Sequence, residues 1–191
     1  MIQRRYFISP LQKAILVASV FATGLAGTAH GAEADSQLLI RGAEIILPFK
    51  QQLKQALGKG MAEGPVAAVN ACHLEAPAIA RSFAADNIRV GRSSHRLRNP
   101  ANTPSAWMNQ IINGYLSAPD AQQPVVVRLA DGRIGYAEPI LTQPQCLTCH
   151  GGAIAPAVQA KLFELYPDDQ ATGFAAGELR GIFWAEFDAA E

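Results

Sequence analysis

The chain has 191 residues, of which 49% are hydrophobic, and its 16 basic and 16 acidic side chains give a formal charge of zero. This ordinary globular composition excludes a disordered, collagen-like or multi-span membrane protein. The length predicts one domain, and the balanced charge lacks the basic excess by which proteins bind nucleic acid.

The first 31 residues have the pattern of a secretory signal peptide. Three basic residues and no acidic residue accompany an apolar run over residues 14–26, and small residues follow up to Gly31. The run is shorter than the roughly 20 apolar residues that a membrane span needs, so the pattern favours cleavage after Gly31 over an uncleaved anchor. We therefore expect residues 1–31 to be removed and residues 32–191 to form one exported domain, in the periplasm or another oxidising compartment.

Apolar residues at helical spacing predict two helices at the start of the mature chain. The first covers residues 36–57 and is expected to end at Gly58 or Gly60, and the second covers residues 66–84. Cys72 belongs to the apolar stripe of the second helix. We therefore expect its thiol to face the core.

The remainder of the chain predicts strands mixed with shorter helices. The expected elements are strands at 88–91, 124–129, 134–141 and 181–187 and helices at 105–116 and 157–165. Asp131 and Gly132 separate the two middle strands, which is a typical hairpin signal. Helices first, followed by an antiparallel hairpin and a closing strand, favour an α+β fold.

Residues 146–150 form the motif C-x-x-C-H, the signature of covalent haem attachment. Two thiols at this spacing can form thioethers with the two vinyl groups on one edge of a porphyrin, and His150 can then ligate the iron. A zinc site would need a second pair of ligands. A thioredoxin-like motif would follow a strand and open a helix, whereas here a loop holding Pro144 comes first. The motif therefore predicts one haem c, bound through Cys146 and Cys149, with His150 as an axial ligand.

The residues alone leave the second axial ligand open. Cys72 is the third cysteine of an exported chain, but buried free cysteines often only pack. By periodicity Cys72 and His73 are equal candidates, and they lie about 100° apart on a helix, so both cannot face one iron. His95 comes next, and Met61 and Met108 come last.

The arginine-rich loop at residues 92–102 has two interpretations. In one, arginines of the loop, namely Arg92, Arg96 and Arg98, bind the haem propionates, because the planar guanidinium group matches a carboxylate. In the other, Asn99 and Pro100 form turns, and the arginines are only solvated. The sequence does not choose between them.

Several further stretches of the sequence occur in a characteristic order. They are the C-x-x-x-A-P motif at 72–77, Gly-Arg-Ser-Ser at 91–94, Arg-Asn-Pro-Ala-Asn at 98–102, C-x-x-C-H-G at 146–151 and the segment 166–181 that begins Tyr-Pro-Asp. Together they resemble the Tll-like c-type haem domain family over nearly all of the mature chain. The resemblance implies a PAS-like fold, in which an antiparallel sheet is flanked by helices, here with N-terminal helices in addition.

The same resemblance implies a ligand set and a function. It assigns Cys72 as the iron ligand opposite His150, with His73 as the alternative. Members of the family also occur as the extracellular sensor part of membrane signalling proteins, although for this chain we expect no membrane helix or kinase after Glu191.

We therefore expect an exported monohaem protein that senses redox state or a small ligand, such as a diatomic gas, and passes the signal to a protein partner. The alternative is a periplasmic electron-transfer cytochrome c with two histidine ligands. A haem enzyme would need an open iron site with acid–base groups, and the sequence assigns no distal histidine and arginine pair for that role.

Overall fold

The computed structural model describes residues 26–84 and 87–189. The described residues form five α-helices and a four-stranded sheet, which confirms the predicted α+β class. The helices are α1 (Ala26–Glu63), α2 (Pro65–Ser82), α3 (Ala106–Ser117), α4 (Leu147–His150) and α5 (Pro156–Leu165), and the strands are β1 (Arg89–Ser93), β2 (Val125–Arg128), β3 (Arg133–Leu141) and β4 (Leu179–Asp188). Most of the predicted signal segment lies outside the described residues. No helix of the described part is both long and apolar enough to cross a membrane.

The sheet is antiparallel throughout and has the strand order β1-β4-β3-β2. The predicted hairpin joins β2 to β3, and Gly132 adopts a left-handed φ of 84° in its turn. The last strand, β4, lies between β1 and β3. The C-terminal residues therefore complete the centre of the sheet.

Helices cover both faces of the sheet. Successive side chains of a strand point to opposite faces, so the side chains of one strand pack into two apolar cores. Ala185 and Phe187 of β4 face α1, where they pack with Ile46 and Phe49. Ile182 of the same strand faces α3 on the other side of the sheet. The predicted arrangement of an antiparallel sheet flanked by helices is therefore confirmed.

The first helix is longer than the sequence predicts. It continues through Gly58 and Gly60 to Glu63 and ends at Gly64, whose φ of 117° is unfavourable for other residues. Gly60 lies where α2 crosses closely, since a Cβ atom there would be only 2.6 Å from the Cα atom of Ala68. The prediction that Gly58 or Gly60 ends the helix is wrong, because Gly60 serves helix packing.

A third apolar cluster lies on α2 and α5. Val69 of α2 packs with Val158 and Leu162 of α5 and with Tyr166. Cys149 of α4 packs against the same cluster, and α2 contacts both α4 and α5. The short helix that carries the C-x-x-C-H motif is therefore held against the helix that carries Cys72.

Candidate functional site

The C-x-x-C-H motif forms one helical turn at the end of a loop. A 3₁₀ turn at Pro144–Cys146 leads directly into α4, and all three cysteines of the chain are free. Residues three apart lie on the same side of a helical turn, so Cys146 and Cys149 point to one side. They can therefore reach one edge of a planar ligand together.

His150 is oriented by a backbone carbonyl group. Its Nδ1 atom lies 2.6 Å from the oxygen of Ala171, while Nε of Arg180 lies 3.2 Å from the same Nδ1. The shorter contact assigns the proton to Nδ1, which donates to Ala171. The lone pair of the imidazole is then on Nε2, and this is the arrangement in which histidine binds a metal.

The electrostatic surroundings keep this imidazole neutral. Burial and the nearby guanidinium groups of Arg180 and Arg98 lower the pKa of His150 to about 3. A protonated imidazolium cannot ligate a metal. His150 is therefore held in the ionisation state, and in the tautomer, that a metal ligand requires.

The loop after α5 closes over the end of α4. The backbone N–H groups of Gly173 and Phe174 donate to the carbonyl oxygens of Gly151 and His150, each at 2.9 Å. The ring of Phe174 also packs edge-on against His150, with 6.4 Å between centroids. The loop thus fixes the backbone on both sides of the His150–Ala171 contact.

Cys72 lies on α2 among positive charges. Burial raises the pKa of its thiol, and the guanidinium groups of Arg92 and Arg98 act against this increase. An ionised Cys72 would also raise the pKa of Cys149, consistent with the contact between α2 and α4. The structure therefore brings Cys72 and the motif to one region of the molecule.

His73 points in a different direction from its neighbour. Its ring packs edge-on against Tyr166 with 5.1 Å between centroids, and its Nδ1 atom is buried with no hydrogen-bond partner in the described part of the chain. It lines a cavity of about 230 Å³ together with Arg98, Tyr166 and Asp168. The divergence of Cys72 and His73 agrees with the geometry of a helix.

The remaining candidate ligands lie elsewhere. Met108 is buried on α3, at the opposite face of the sheet, where its sulfur contacts Ser93. Met61 is exposed at the end of α1. His95 is exposed and packs on the ring of Phe174, with 6.0 Å between centroids.

The region around Cys72 and the C-x-x-C-H motif holds more arginines than carboxylates. The three arginines are Arg92, Arg98 and Arg180. Arg98 forms an ion pair with Asp169 at 2.9 Å, whereas neither Arg92 nor Arg180 has an ion-pair partner among the residues described. Burial lowers the pKa of Arg92, and it lowers that of Arg180 to about 9. An anion that entered this cluster would relieve the unfavourable confinement of positive charge.

Sequence reasoning predicts that Asp168 or Asp169 caps a turn, and Asp169 does so by accepting the N–H of Ala171 at 2.7 Å. It did not assign a role to Arg180 or Ala171. The available signal for Arg180 was a basic residue next to the start of strand β4, whose other charged residues, Glu186 and Asp188, are both acidic. A backbone carbonyl such as that of Ala171 carries no signal in the sequence, since every residue has one.

The local context of the motif agrees with the predicted loop. Residues 142–145, which include the start of the 3₁₀ turn Pro144–Cys146, separate β3 from the motif, and α4 is a single turn, Leu147–His150. A reactive dithiol also needs a lowered cysteine pKa, but burial raises the pKa of Cys149. The electrostatic environment of this thiol therefore also disfavours dithiol chemistry.

Side chains alone do not form a complete metal site in the described residues. No three or more His, Cys, Asp or Glu side chains are arranged there to hold a metal ion. A metal bound by His150 and Cys72 must therefore bring other ligands with it, as an iron porphyrin brings four pyrrole nitrogens.

The sequence profile of the Tll0287-like family matches residues 17–187. The chain belongs to the Tll0287-like family. Its fold is similar to that of a solved structure described as the cyanobacterial heme-protein Tll0287, with a TM-score of 0.53 and 23% sequence identity. The match covers 76% of this chain and 94% of that one. No curated protein matches this member of the Tll0287-like family.

Proposed function

We propose that this Tll0287-like protein binds one haem c through thioethers from Cys146 and Cys149. Cys146 is the N-cap residue of α4 and Cys149 lies within it, and the structural relative is described as a heme-protein. When bound, the haem supplies a one-electron iron couple and axial coordination positions. The protein supplies the axial ligands, the charge around them and the exclusion of water.

The observation that carries this proposal is the orientation of His150. Its Nδ1–H group donates to Ala171 at 2.6 Å, which leaves Nε2 as the free donor atom. A histidine that binds no metal does not need its proton on Nδ1 in particular. The nearby arginines keep this imidazole neutral, and a neutral imidazole can bind a metal. We assign His150 as one axial ligand and Cys72, on the facing helix α2, as the other.

The excess of arginines fits the two propionate groups of a haem. Arg92 is partly buried and has no hydrogen-bond or ion-pair partner in the described ranges, so both edges of its guanidinium group remain available. The Nε and Nη2 atoms of Arg98 are already engaged, but its Nη1 atom makes no hydrogen bond to any described residue. We propose that Arg92 is the principal propionate ligand and that Arg98 contributes through Nη1.

The unlike ligands favour sensing over simple electron transfer. Cys72 and His150 would hold a bound haem iron, and the axial ligand is one of the means by which a protein tunes the iron's potential. A thiolate would favour ferric over ferrous iron, so Cys72 would be the weaker ligand and His150 the stronger one in the reduced protein. Loss of one ligand gives the protein two states without a large movement of the chain. We propose an exported, periplasmic sensor of redox state or of a small ligand such as a diatomic gas, which passes its state to a protein partner.

Denaturing gels of protein produced with a cytochrome maturation system test haem attachment. The parent is expected to keep its haem stain after denaturation, and a Cys146→Ala, Cys149→Ala double variant is expected to lose it. A Cys72→Ala variant is the matched control, since it also removes a cysteine but is expected to keep the stain. Complete extraction of the haem from the parent by acid acetone would refute covalent attachment.

Absorption spectra of the reduced protein with and without carbon monoxide separate the two functions. A sensor is expected to bind carbon monoxide in the ferrous state, because Cys72 has left or is easily displaced. A ferrous spectrum that carbon monoxide does not change would favour the electron-transfer cytochrome.

A further inference from the structure

The guanidinium group of Arg98 joins the C-x-x-C-H helix to the loop that closes over it. Its Nε atom donates to Asp169 at 2.9 Å, and its Nη2 atom donates to the carbonyl oxygens of Cys149 and Ala171 at 2.5 and 3.2 Å. The side chain is only 13% exposed. Three of its hydrogen bonds therefore go to the segments that surround His150.

The carbonyl of Ala171 is held from two sides. Its peptide group lies next to Asp169, whose Oδ1 atom accepts the N–H of Ala171 at 2.7 Å. Its oxygen has two lone pairs, and it accepts from both Arg98 and His150. Arg98 and Asp169 thus fix the group that orients the imidazole.

A second donor competes for the same nitrogen of the imidazole. Nε of Arg180 is 3.2 Å from Nδ1 of His150, and an arginine can only donate. If Ala171 moved away, Arg180 would donate to Nδ1, and the proton of the imidazole would reside on Nε2. In that tautomer Nε2 has no lone pair for iron.

We propose that Arg98 is a positioning residue that keeps His150 in its metal-binding tautomer. It acts through the Ala171 carbonyl and opposes the donation from Arg180. This inference rests on the proposed function for its biological meaning, but the tautomer is a property of the protein itself. The role is additional to the contact of Nη1 with a propionate, because it uses different atoms of the guanidinium group.

The direct test is nitrogen NMR of the histidine side chains in the full-length, haem-free chain. In the parent, His150 is expected to carry its proton on Nδ1. In an Arg98→Gln variant the proton is expected to move to Nε2 in most molecules, and in Arg98→Lys, which keeps the charge and a donor, the Nδ1–H form is expected to recover in part. Arg96→Gln is the control, since Arg96 donates to Gln170 on the same loop but does not contact Ala171.

The haem-loaded protein gives an independent measurement. A hydrogen bond from Nδ1 makes the imidazole a stronger donor, which favours ferric iron. Arg98→Gln also removes a positive charge near the iron, which by itself lowers the potential, so charge-conserving variants are compared. The reduction potential is expected to rise in Arg98→Lys, which cannot make all three hydrogen bonds of Arg98, and to stay near the parent value in Arg96→Lys.

Two outcomes would overturn the inference. One is an unchanged Nδ1–H tautomer in a folded Arg98→Gln variant, and the other is a potential that moves no further in Arg98→Lys than in Arg96→Lys. If the parent does not attach haem, the proposed function fails, while the tautomer in the haem-free chain still decides the role of Arg98.

Discussion

Replacement of Asp169 by alanine is expected to destabilise the protein strongly. The Asp169 carboxylate accepts from Nε of Arg98 at 2.9 Å and from the N–H of Ala171 at 2.7 Å. The two side chains of this ion pair are only 13% and 9% exposed. The variant would therefore leave a guanidinium group enclosed without its only carboxylate partner in the described residues.

The magnitude follows from this burial. Removal of one partner from a buried ion pair costs about 3–5 kcal/mol, and the lost hydrogen bond to Ala171 lies within that range. In a domain of this size each kcal/mol lowers Tm by about 2–4 °C, so we expect Tm to fall by roughly 10 °C. Arg98 also contacts backbone carbonyl groups, and these contacts remain in the variant. The loss of unfolding free energy is therefore expected at the lower end of the range of about 3–5 kcal/mol.

Urea unfolding followed by circular dichroism measures this free energy. Glu164→Ala is the matched control, since it removes one partner of the Lys161–Glu164 pair, whose glutamate is 61% exposed, and should cost less than about 1 kcal/mol. If Asp169→Ala loses no more unfolding free energy than Glu164→Ala, the argument that the Arg98–Asp169 pair is buried and structurally required is refuted.

Four further predictions address the site and the pH dependence. His150→Ala should leave haem attachment intact but change the spin state of the iron, and spectra identical to the parent in both oxidation states would exclude His150 as a ligand. Cys72→Ala should remove the thiolate character of the ferric spectrum; if Cys72→Ala keeps the ferric spectrum of the parent and His73→Ala does not, His73 is the ligand. Arg92→Met should lower the reduction potential, because a cation near the iron disfavours the ferric state, whereas Arg128→Gln, which removes a largely exposed arginine, should leave the potential unchanged. Burial raises the pKa of Tyr115 to about 12, above its value of about 10 in an unfolded chain. This contribution to stability is therefore complete below pH 10 and is lost as the pH rises from 10 to 12. In Tyr115→Phe the decline in the urea midpoint over this range should be smaller, and an unchanged decline would contradict the assignment.

Local sequence patterns were sufficient to predict most of the secondary structure and to propose the chemistry of the motif. The strands and helices after residue 64 lie close to their predicted positions, because each has the apolar period that its own packing requires. The C-x-x-C-H motif is equally local, since its five residues are adjacent in the chain. The end of α1 was predicted wrongly because Gly60 allows the close approach of Ala68 from another helix. This contact joins two helices, so the sequence of α1 by itself does not reveal it.

The tertiary structure alone decided how the site is arranged. The orientation of His150 depends on the carbonyl of Ala171 and on the side chain of Arg180, which are distant from it in the sequence. The sequence pattern could separate Cys72 from His73 only by an angle around a helix, whereas the fold placed one thiol near Arg92 and the neighbouring imidazole against Tyr166. A motif can specify which atoms bind a cofactor, but its proton positions and charge environment come from groups that only folding brings within a few ångströms.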